Sequence, residues 1–399
     1  MNPLNCILVA TFLIDLAVML TVRGVQFHAV YGLNMAEPPA LALSLVFGVL
    51  YVIGALLCHR LARRLGEKRL LQGTLILQAA AALAMMALSS VIPGLFVANG
   101  FLGLANGLLW PVVESYVAAG KNPRDVAQAL GKFALTWSAA FVVGLILTGP
   151  MVGHFPAGAF LTAAVLLIVA LAVVQALALR PPHWSPDHPE RPVPETLARW
   201  QRLLTTSRWL MLLACAMVGV LSAMLPVIFH RLGCSVNLAG PLSSVPDAAR
   251  FAMFLVLWIS IAWHGKTYPL LLSMIALPAG MILILLGSSL PAVLLGECLI
   301  GLALGTVYFT ALYYALVVRN AQVEAGGIHE GLIGSGMVFG PAAGLMGMLL
   351  TGPGQSTSGM LIALGVLAAL AIVMALRSLN DANFASVRFS LRKSERSSV

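Results

Sequence analysis

The sequence contains few charged residues for its length. Asp, Glu, Lys and Arg make up 9% of the 399 residues, whereas 60% are hydrophobic and the mean hydropathy is +0.96. One water-soluble core cannot hide that much apolar surface. The composition therefore excludes an ordinary soluble domain and predicts an all-α polytopic membrane protein, because helices satisfy their backbone polar groups within lipid.

Cysteine is also scarce, and the usual catalytic motifs are missing. The five cysteines occur singly, without CxxC spacing or clustered His partners, so we expect free thiols, no metal site and no cofactor. Gly334-Ser335-Gly336 is not a GxSxG elbow because Ile333 takes the first glycine position. No HExxH or P-loop motif occurs either. We therefore expect neither an enzyme nor an ATP-driven pump.

Twelve apolar runs have about the 20 residues that are needed to cross the hydrocarbon. The predicted spans are 5–22, 40–58, 70–89, 93–118, 131–153, 158–179, 208–229, 246–264, 268–288, 291–318, 328–351 and 358–376. The eighth is the weakest, because Arg250 interrupts its start.

A proline-rich loop divides these spans into two sets of six. We predict an N-terminal six-helix bundle over 1–180, a cytoplasmic linker with a surface helix over 181–207, a C-terminal bundle over 208–377 and a disordered tail over 378–399. In the linker, Leu197, Trp200 and Leu204 share one helical face, which is typical of a helix lying on a membrane surface.

The basic residues predict the orientation of the chain. With the N-terminus in the cytoplasm, 20 of the 23 Lys and Arg residues fall in cytoplasmic loops and the C-terminal tail. We therefore expect a multi-pass inner (plasma) membrane protein with both termini cytoplasmic. The net charge of +9 serves this orientation and does not indicate nucleic-acid binding.

The two halves contain a weak internal repeat. The fourth span reads Asn99-GFLGLANG and the tenth reads Glu297-CLIGLALG, so that GLA-x-G recurs in the matching helix. The fifth and eleventh spans also carry matching glycines beside Pro150 and Pro341. Duplicated halves that meet at a central cavity are typical of transporters.

This layout resembles the major facilitator superfamily, whose members carry a basic motif between the second and third helices. The matching stretch runs from His59 to Arg69; Gly66, Lys68 and Arg69 keep the pattern, whereas Arg63 replaces the usual aspartate. The resemblance implies transport by alternating access. It also implies gating roles for the basic residues and the two prolines, namely Arg63, Arg64, Lys68, Arg69, Pro150 and Pro341.

Two details of the resemblance point in different directions. The glycine–proline pairs resemble the fifth-helix motif of the family's antiporters and favour export, although glycines at this spacing also let helices pack closely. Asn99 occupies the position where many proton-coupled members have an arginine, which argues against that coupling route.

Charged residues inside spans are costly and hence candidates for function. Asp15 lies near the midplane of the first span, where it would bind a proton or a cationic substrate, or be hydrogen-bonded as a protonated structural group. Glu297 and Arg250 lie at similar depths in the tenth and eighth spans, which predicts a structural ion pair, with a coupling role as the alternative.

Two further glutamates are candidates for gating. Glu114 lies near the inner end of the fourth span, within reach of Arg63 and Arg64, and is predicted to act as a gate latch that holds one access state closed, unless it is merely an interfacial carboxylate. Glu330 is predicted to open the eleventh helix, where an acidic residue also complements the helix dipole. The resemblance places further polar and aromatic residues at the cavity, namely Asn106, Trp110, Ser222, Tyr308, Tyr313 and Tyr314.

The expected function is secondary active transport of a small organic solute, as proton-coupled export by a monomer in the lipid bilayer. The alternative is a membrane scaffold or sensor that kept the fold and lost transport, which the altered basic motif and the missing arginine favour.

Overall fold

The computed structural model describes residues 2–121, 123–181, 194–318, 323–352 and 355–380. Within them it has twelve helices that are long and apolar enough to cross a membrane, as predicted. They are α1 (Pro3–Gly32), α2 (Glu37–Leu65), α3 (Glu67–Ala87), α4 (Ile92–Ala118), α5 (Pro123–His154), α6 (Pro156–Val173), α7 (Pro194–Arg231), α8 (Val236–Ile259), α9 (Tyr268–Leu286), α10 (Leu290–Val318), α11 (Val323–Thr351) and α12 (Ser356–Asn380). Most of the predicted tail, from residue 381, and residues 182–193 of the predicted linker lie outside the described residues.

Two predicted spans had clearly wrong boundaries. Helix α1 continues past residue 22 to Gly32, and it contains two π-helical stretches, Met19–Arg23 and His28–Gly32. Helix α8 begins at Val236, ten residues before the predicted start, so that Arg250 lies in the middle of the span. The first span was predicted too short because Arg23 was taken to lie beyond its end, and the eighth because Arg250 was taken to interrupt its start.

The predicted surface helix is not a separate element. Residues Pro194–Arg231 form one continuous helix, so the segment around Trp200 is the first part of α7. Leu204 is fully buried, and the Trp200 ring packs on Tyr313 and Tyr314 at centroid distances of 6.0 and 5.8 Å. The apolar face of this segment therefore packs on α10 in the protein core.

The repeated GLA-x-G glycines allow equivalent helix crossings in the two halves. A Cβ atom added at Gly107 of α4 would come 2.0 Å from the Tyr51 carbonyl oxygen of α2, and Gly103 meets the Phe47 carbonyl in the same way. In the second half, a Cβ atom at Gly301 of α10 would come 2.2 Å from the Pro246 carbonyl oxygen of α8. The repeat thus packs α4 closely on α2 and α10 on α8.

The glycines near Pro150 and Pro341 also lie at helix crossings. Gly144 packs α5 on Met19 of α1, and Gly340 packs α11 on Ala216 of α7, where an added Cβ would come 1.9 Å from the carbonyl oxygen. Gly149 faces Gly240 of α8 across the two halves. These contacts agree with the packing interpretation of the motif.

Alanine at Gly107 is expected to destabilise the protein by about 1–3 kcal/mol, because its methyl group overlaps the α2 backbone. The matched control is Gly73→Ala on α3, since an added Cβ there meets nothing within 4 Å. Denaturation in detergent followed by circular dichroism would measure both. Equal stability of the two variants would contradict the close α2–α4 crossing.

Contacts between the halves occur at both ends of the bundle. We call the end at the α2–α3 turn (59–69) the basic end, and the end at the α1–α2 turn (32–37) the opposite end. At the opposite end, Arg231 pairs with Glu37, and the Tyr31 hydroxyl donates to the Cys234 carbonyl oxygen at 3.2 Å. Towards the basic end, the Trp258 indole N–H donates to the Gln128 side-chain oxygen at 3.0 Å.

Candidate functional site: a charged cavity between the halves

A cavity of about 180 Å³ lies between the two sets of six helices. Eight helices contribute side chains to its wall: α1, α2, α4 and α5 from the first half, and α7, α8, α10 and α11 from the second. The wall is mainly apolar and aromatic, with a few polar and charged groups. Such a pattern is typical of small-molecule sites.

Asp15 is buried in the cavity wall. Its side chain is 1% exposed, and its Oδ2 atom has no hydrogen-bond partner among the described residues. The charge of Arg250 acts on it across the cavity. Just beyond Asp15, α1 widens into the π-helical stretch that brings Arg23 to the same wall. Irregular turns of this kind often accompany functional sites.

Arg250 forms the other charged side of the cavity. It pairs with Asp247 one turn earlier on α8, and its guanidinium lies 4.3 Å from the centroid of the Trp137 ring and 5.0 Å from that of Phe141. Both rings belong to α5, so the cation–π contact connects the two halves. Trp137 in turn packs on Tyr308 of α10 at 5.0 Å.

The predicted ion pair between Arg250 and Glu297 is not formed. Arg250 pairs with Asp247, whereas Glu297 lies outside the cavity wall with both oxygens lacking hydrogen-bond partners among the described residues. The charge of Arg23 acts on Glu297. The prediction failed because it assumed a pair across two helices, although an aspartate three residues away on the same helix was closer.

A buried polar cluster lies at the edge of the cavity. The Tyr51 hydroxyl of α2 donates to Glu330 of α11, and the carboxyl groups of Glu330 and Glu114 of α4 lie within hydrogen-bonding distance. The neighbouring imidazole of His329 is fully buried and packs on Tyr308 at a centroid distance of 5.2 Å. We call Tyr51, Glu114, His329 and Glu330 the carboxylate cluster.

The predicted latch between Glu114 and the basic motif is also absent. Glu114 is 2% exposed and faces α11, whereas Arg63 and Arg64 are exposed. Among the described residues, the hydrogen bonds of the basic motif are all made with residues of the first half. Lys68 donates to the Gln175 carbonyl oxygen at 2.6 Å, and the Arg63 carbonyl accepts from Arg180.

The capping role predicted for Glu330 is wrong as well. Helix α11 begins at Val323, which places Glu330 about two turns inside the helix and 2% exposed. The dipole of the first turn therefore does not explain this glutamate.

The predicted cavity residues divide into two groups. Six of them line the wall: Asp15, Asn106, Trp110, Ser222, Arg250 and Tyr308. Glu297, Tyr313 and Tyr314 do not; Tyr313 stacks on His264 at 4.8 Å near the basic end, where burial lowers the pKa of that histidine. Of the gating candidates, Glu330 also lines the wall, Arg69 is exposed, Pro341 packs on Gly219, and the Pro150 carbonyl contacts His154.

Five polar, charged or aromatic residues of the site were not predicted from the sequence. Arg23, Tyr51, Trp137, Phe141 and Asp247 all line the cavity. Asp247 could have been found, because it precedes Arg250 by three residues and so shares its helical face. The aromatic residues carried no such signal, since rings in membrane helices are common packing groups.

Comparisons with known proteins support the same fold. The family model described as Major Facilitator Superfamily matches residues 7–341. The human organic anion transporter MFSD10 (TETRAN) has a similar crystal structure, with a TM-score of 0.62 at 15% identity over 94% of this chain and 98% of that one. The nucleoside transporter NupG gives 0.67 at 12% identity over 95% and 98%. No curated protein matches the chain significantly. Because the family model covers most of its length, the chain belongs to the major facilitator superfamily.

Proposed function

We propose that this protein is a secondary active transporter that exports a small organic solute across the inner (plasma) membrane by alternating access. The coupling ion is a proton that binds at Asp15, and the protein works as a monomer with both termini in the cytoplasm. The observation that carries this proposal is the charged cavity lined by four helices from each half.

Contacts between the halves support alternating access. The opposite end is joined by Glu37–Arg231 and Tyr31–Cys234, and the part towards the basic end is joined by Gln128–Trp258. The Glu37–Arg231 pair can break without unfolding either half, because its arginine is 53% exposed and exposed ion pairs contribute under about 1 kcal/mol. The halves can then rock about the cavity, opening one end at a time.

The wall chemistry supports an organic solute with an aromatic or apolar body. Trp137, Phe141 and Tyr308 offer ring faces, whereas Asp15 and Arg250 offer charges of opposite sign. The structurally similar proteins are an organic anion transporter and a nucleoside transporter. Both descriptions agree with an organic substrate.

The direction and the orientation rest on sequence patterns. Export is supported by the resemblance of the glycine–proline pairs to the antiporter motif, and the cytoplasmic termini by the concentration of Lys and Arg in alternate loops.

Proton movement in liposomes tests the proposal. Purified protein is reconstituted with a pH-sensitive dye inside the vesicles, and a panel of organic anions, cations and nucleosides is added under an imposed pH gradient. A transporter is expected to give proton movement with at least one compound and none in protein-free vesicles. Radiolabelled counterflow of that compound would measure transport without a gradient. Absence of both signals over the whole panel would favour the scaffold or sensor alternative.

A further inference from the structure

The carboxylate cluster gathers three metal-ligating side chains inside the protein. One ligand atom from each of Glu114, His329 and Glu330 lies within 4.8 Å of the other two. All three residues are at most 2% exposed. Glu114 comes from the first half and the other two come from the second, so the group is assembled only when the halves are together.

The polar atoms of this group are poorly satisfied by the protein. Neither ring nitrogen of His329 has a hydrogen-bond partner among the described residues, and Glu114 has no such partner there apart from the neighbouring Glu330 carboxyl. Two adjacent carboxylates repel each other strongly away from water, and a buried imidazole without a partner is costly. A ligand that accepts electron pairs from all three groups would remove these penalties together.

We propose that the carboxylate cluster is a binding site for one divalent transition-metal ion, with Glu114, His329 and Glu330 as its protein ligands. Two carboxylates cancel the charge of a divalent cation, which suits a site removed from water. One imidazole with two carboxylates is a ligand set that Zn²⁺ accepts. A shared proton would relieve the two carboxylates but would leave the imidazole unsatisfied.

The distances allow coordination with small side-chain movements. Three atoms within 4.8 Å of one another can reach bonds of about 2.0–2.1 Å to a central ion if each moves inward by less than about 1 Å. The Tyr51 hydroxyl already holds Glu330 in place, which is how hydrogen bonds beside a metal site orient its ligands.

The surrounding charges are compatible with this site. The His329 ring is fully buried, and the neutral imidazole is the form that ligates metals. Tyr51 donates to Glu330, the Tyr308 ring packs on His329, and both tyrosines also line the cavity. A bound ion would connect α4 to α11 and thereby hold the two halves together.

Direct metal binding tests the proposal without a transport assay. Full-length protein in lipid nanodiscs, with any affinity tag removed, is stripped with a chelator and titrated with Zn²⁺, and the bound ion is counted by mass spectrometry. Wild type is expected to bind one Zn²⁺ per chain and to melt at a higher temperature with the ion. Glu114→Gln and His329→Gln are each expected to weaken binding at least 10-fold.

A second pair of variants controls for folding and for unspecific binding. Tyr51→Phe keeps all three ligands and is expected to weaken binding about 10-fold. Glu297→Gln removes another buried membrane glutamate outside the cluster and is expected to bind as wild type does. The proposal is overturned if wild type binds no Zn²⁺, if folded Glu114→Gln binds fully, or if Glu297→Gln loses as much as Glu114→Gln.

Discussion

Asparagine at position 15 is expected to abolish substrate-driven proton movement and to leave the protein folded. The Asp15 carboxyl is buried at the cavity wall, and its Oδ2 atom has no hydrogen-bond partner among the described residues. The amide has nearly the same shape, so the packing of α1 should survive. It cannot bind and release a proton, however, and a coupling site needs that exchange.

Two assays separate coupling from substrate binding. In proteoliposomes, Asp15→Asn should reduce proton movement to the background of protein-free vesicles. If Asp15 is the coupling site, this is a loss of at least about 10-fold relative to wild type. Radiolabelled counterflow, which needs no net proton movement, should continue in Asp15→Asn because the amide resembles the protonated acid. Loss of both signals would instead place Asp15 in substrate binding.

The matched control is the same chemical change outside the cavity. Asp125 is exposed near the beginning of α5 and does not line the cavity wall. Asp125→Asn should retain both proton movement and counterflow. If Asp15→Asn also retained normal proton movement, the carboxyl would be a structural group, and the coupling site would have to be sought elsewhere in the wall.

The number of spans could be predicted because it depends only on how many apolar runs are long enough to cross the bilayer. Their ends were less predictable wherever an arginine lies inside a helix. Arg23 was taken to lie beyond the first span and Arg250 to interrupt the start of the eighth. The structure keeps both well inside spans, where carboxylates compensate their charge: Asp247 pairs with Arg250, and Asp247 and Glu297 act on Arg23. Hydropathy of a single run cannot include a counter-charge that comes from another helix or from an adjacent turn.

The site was predictable only in part for a related reason. Helix number placed Asn106, Ser222 and Tyr308 in cavity-lining spans, and all three do line the wall. Hydropathy does not give the rotation of a helix about its own axis. Tyr313 was therefore included, although its ring packs on Trp263 and His264 near the basic end. The carboxylate cluster was not predicted, because its members lie far apart in the chain and meet only through the contact of α4 and α2 with α11.

Removal of the Arg250 charge is expected to have the largest effect on stability. Arg250 and Asp247 have side chains that are 7% and 13% exposed, and the guanidinium also lies over two rings of α5. Arg250→Gln would leave the Asp247 carboxylate buried without its partner, which costs about 3–5 kcal/mol in comparable buried pairs. It would also remove a cation–π contact between the halves.

A double-mutant cycle checks this interpretation. Arg250→Gln with Asp247→Asn removes both charges, so the double variant should recover most of the free energy of unfolding that the single variant loses. The comparison pair is Glu37–Arg231, which also joins the halves but leaves the arginine side chain 53% exposed. Arg231→Gln should therefore cost under about 1 kcal/mol. Denaturant unfolding in detergent measures the free energy of unfolding of each variant. If Arg250→Gln and Arg231→Gln lost the same amount, burial of the Arg250–Asp247 pair would not control stability.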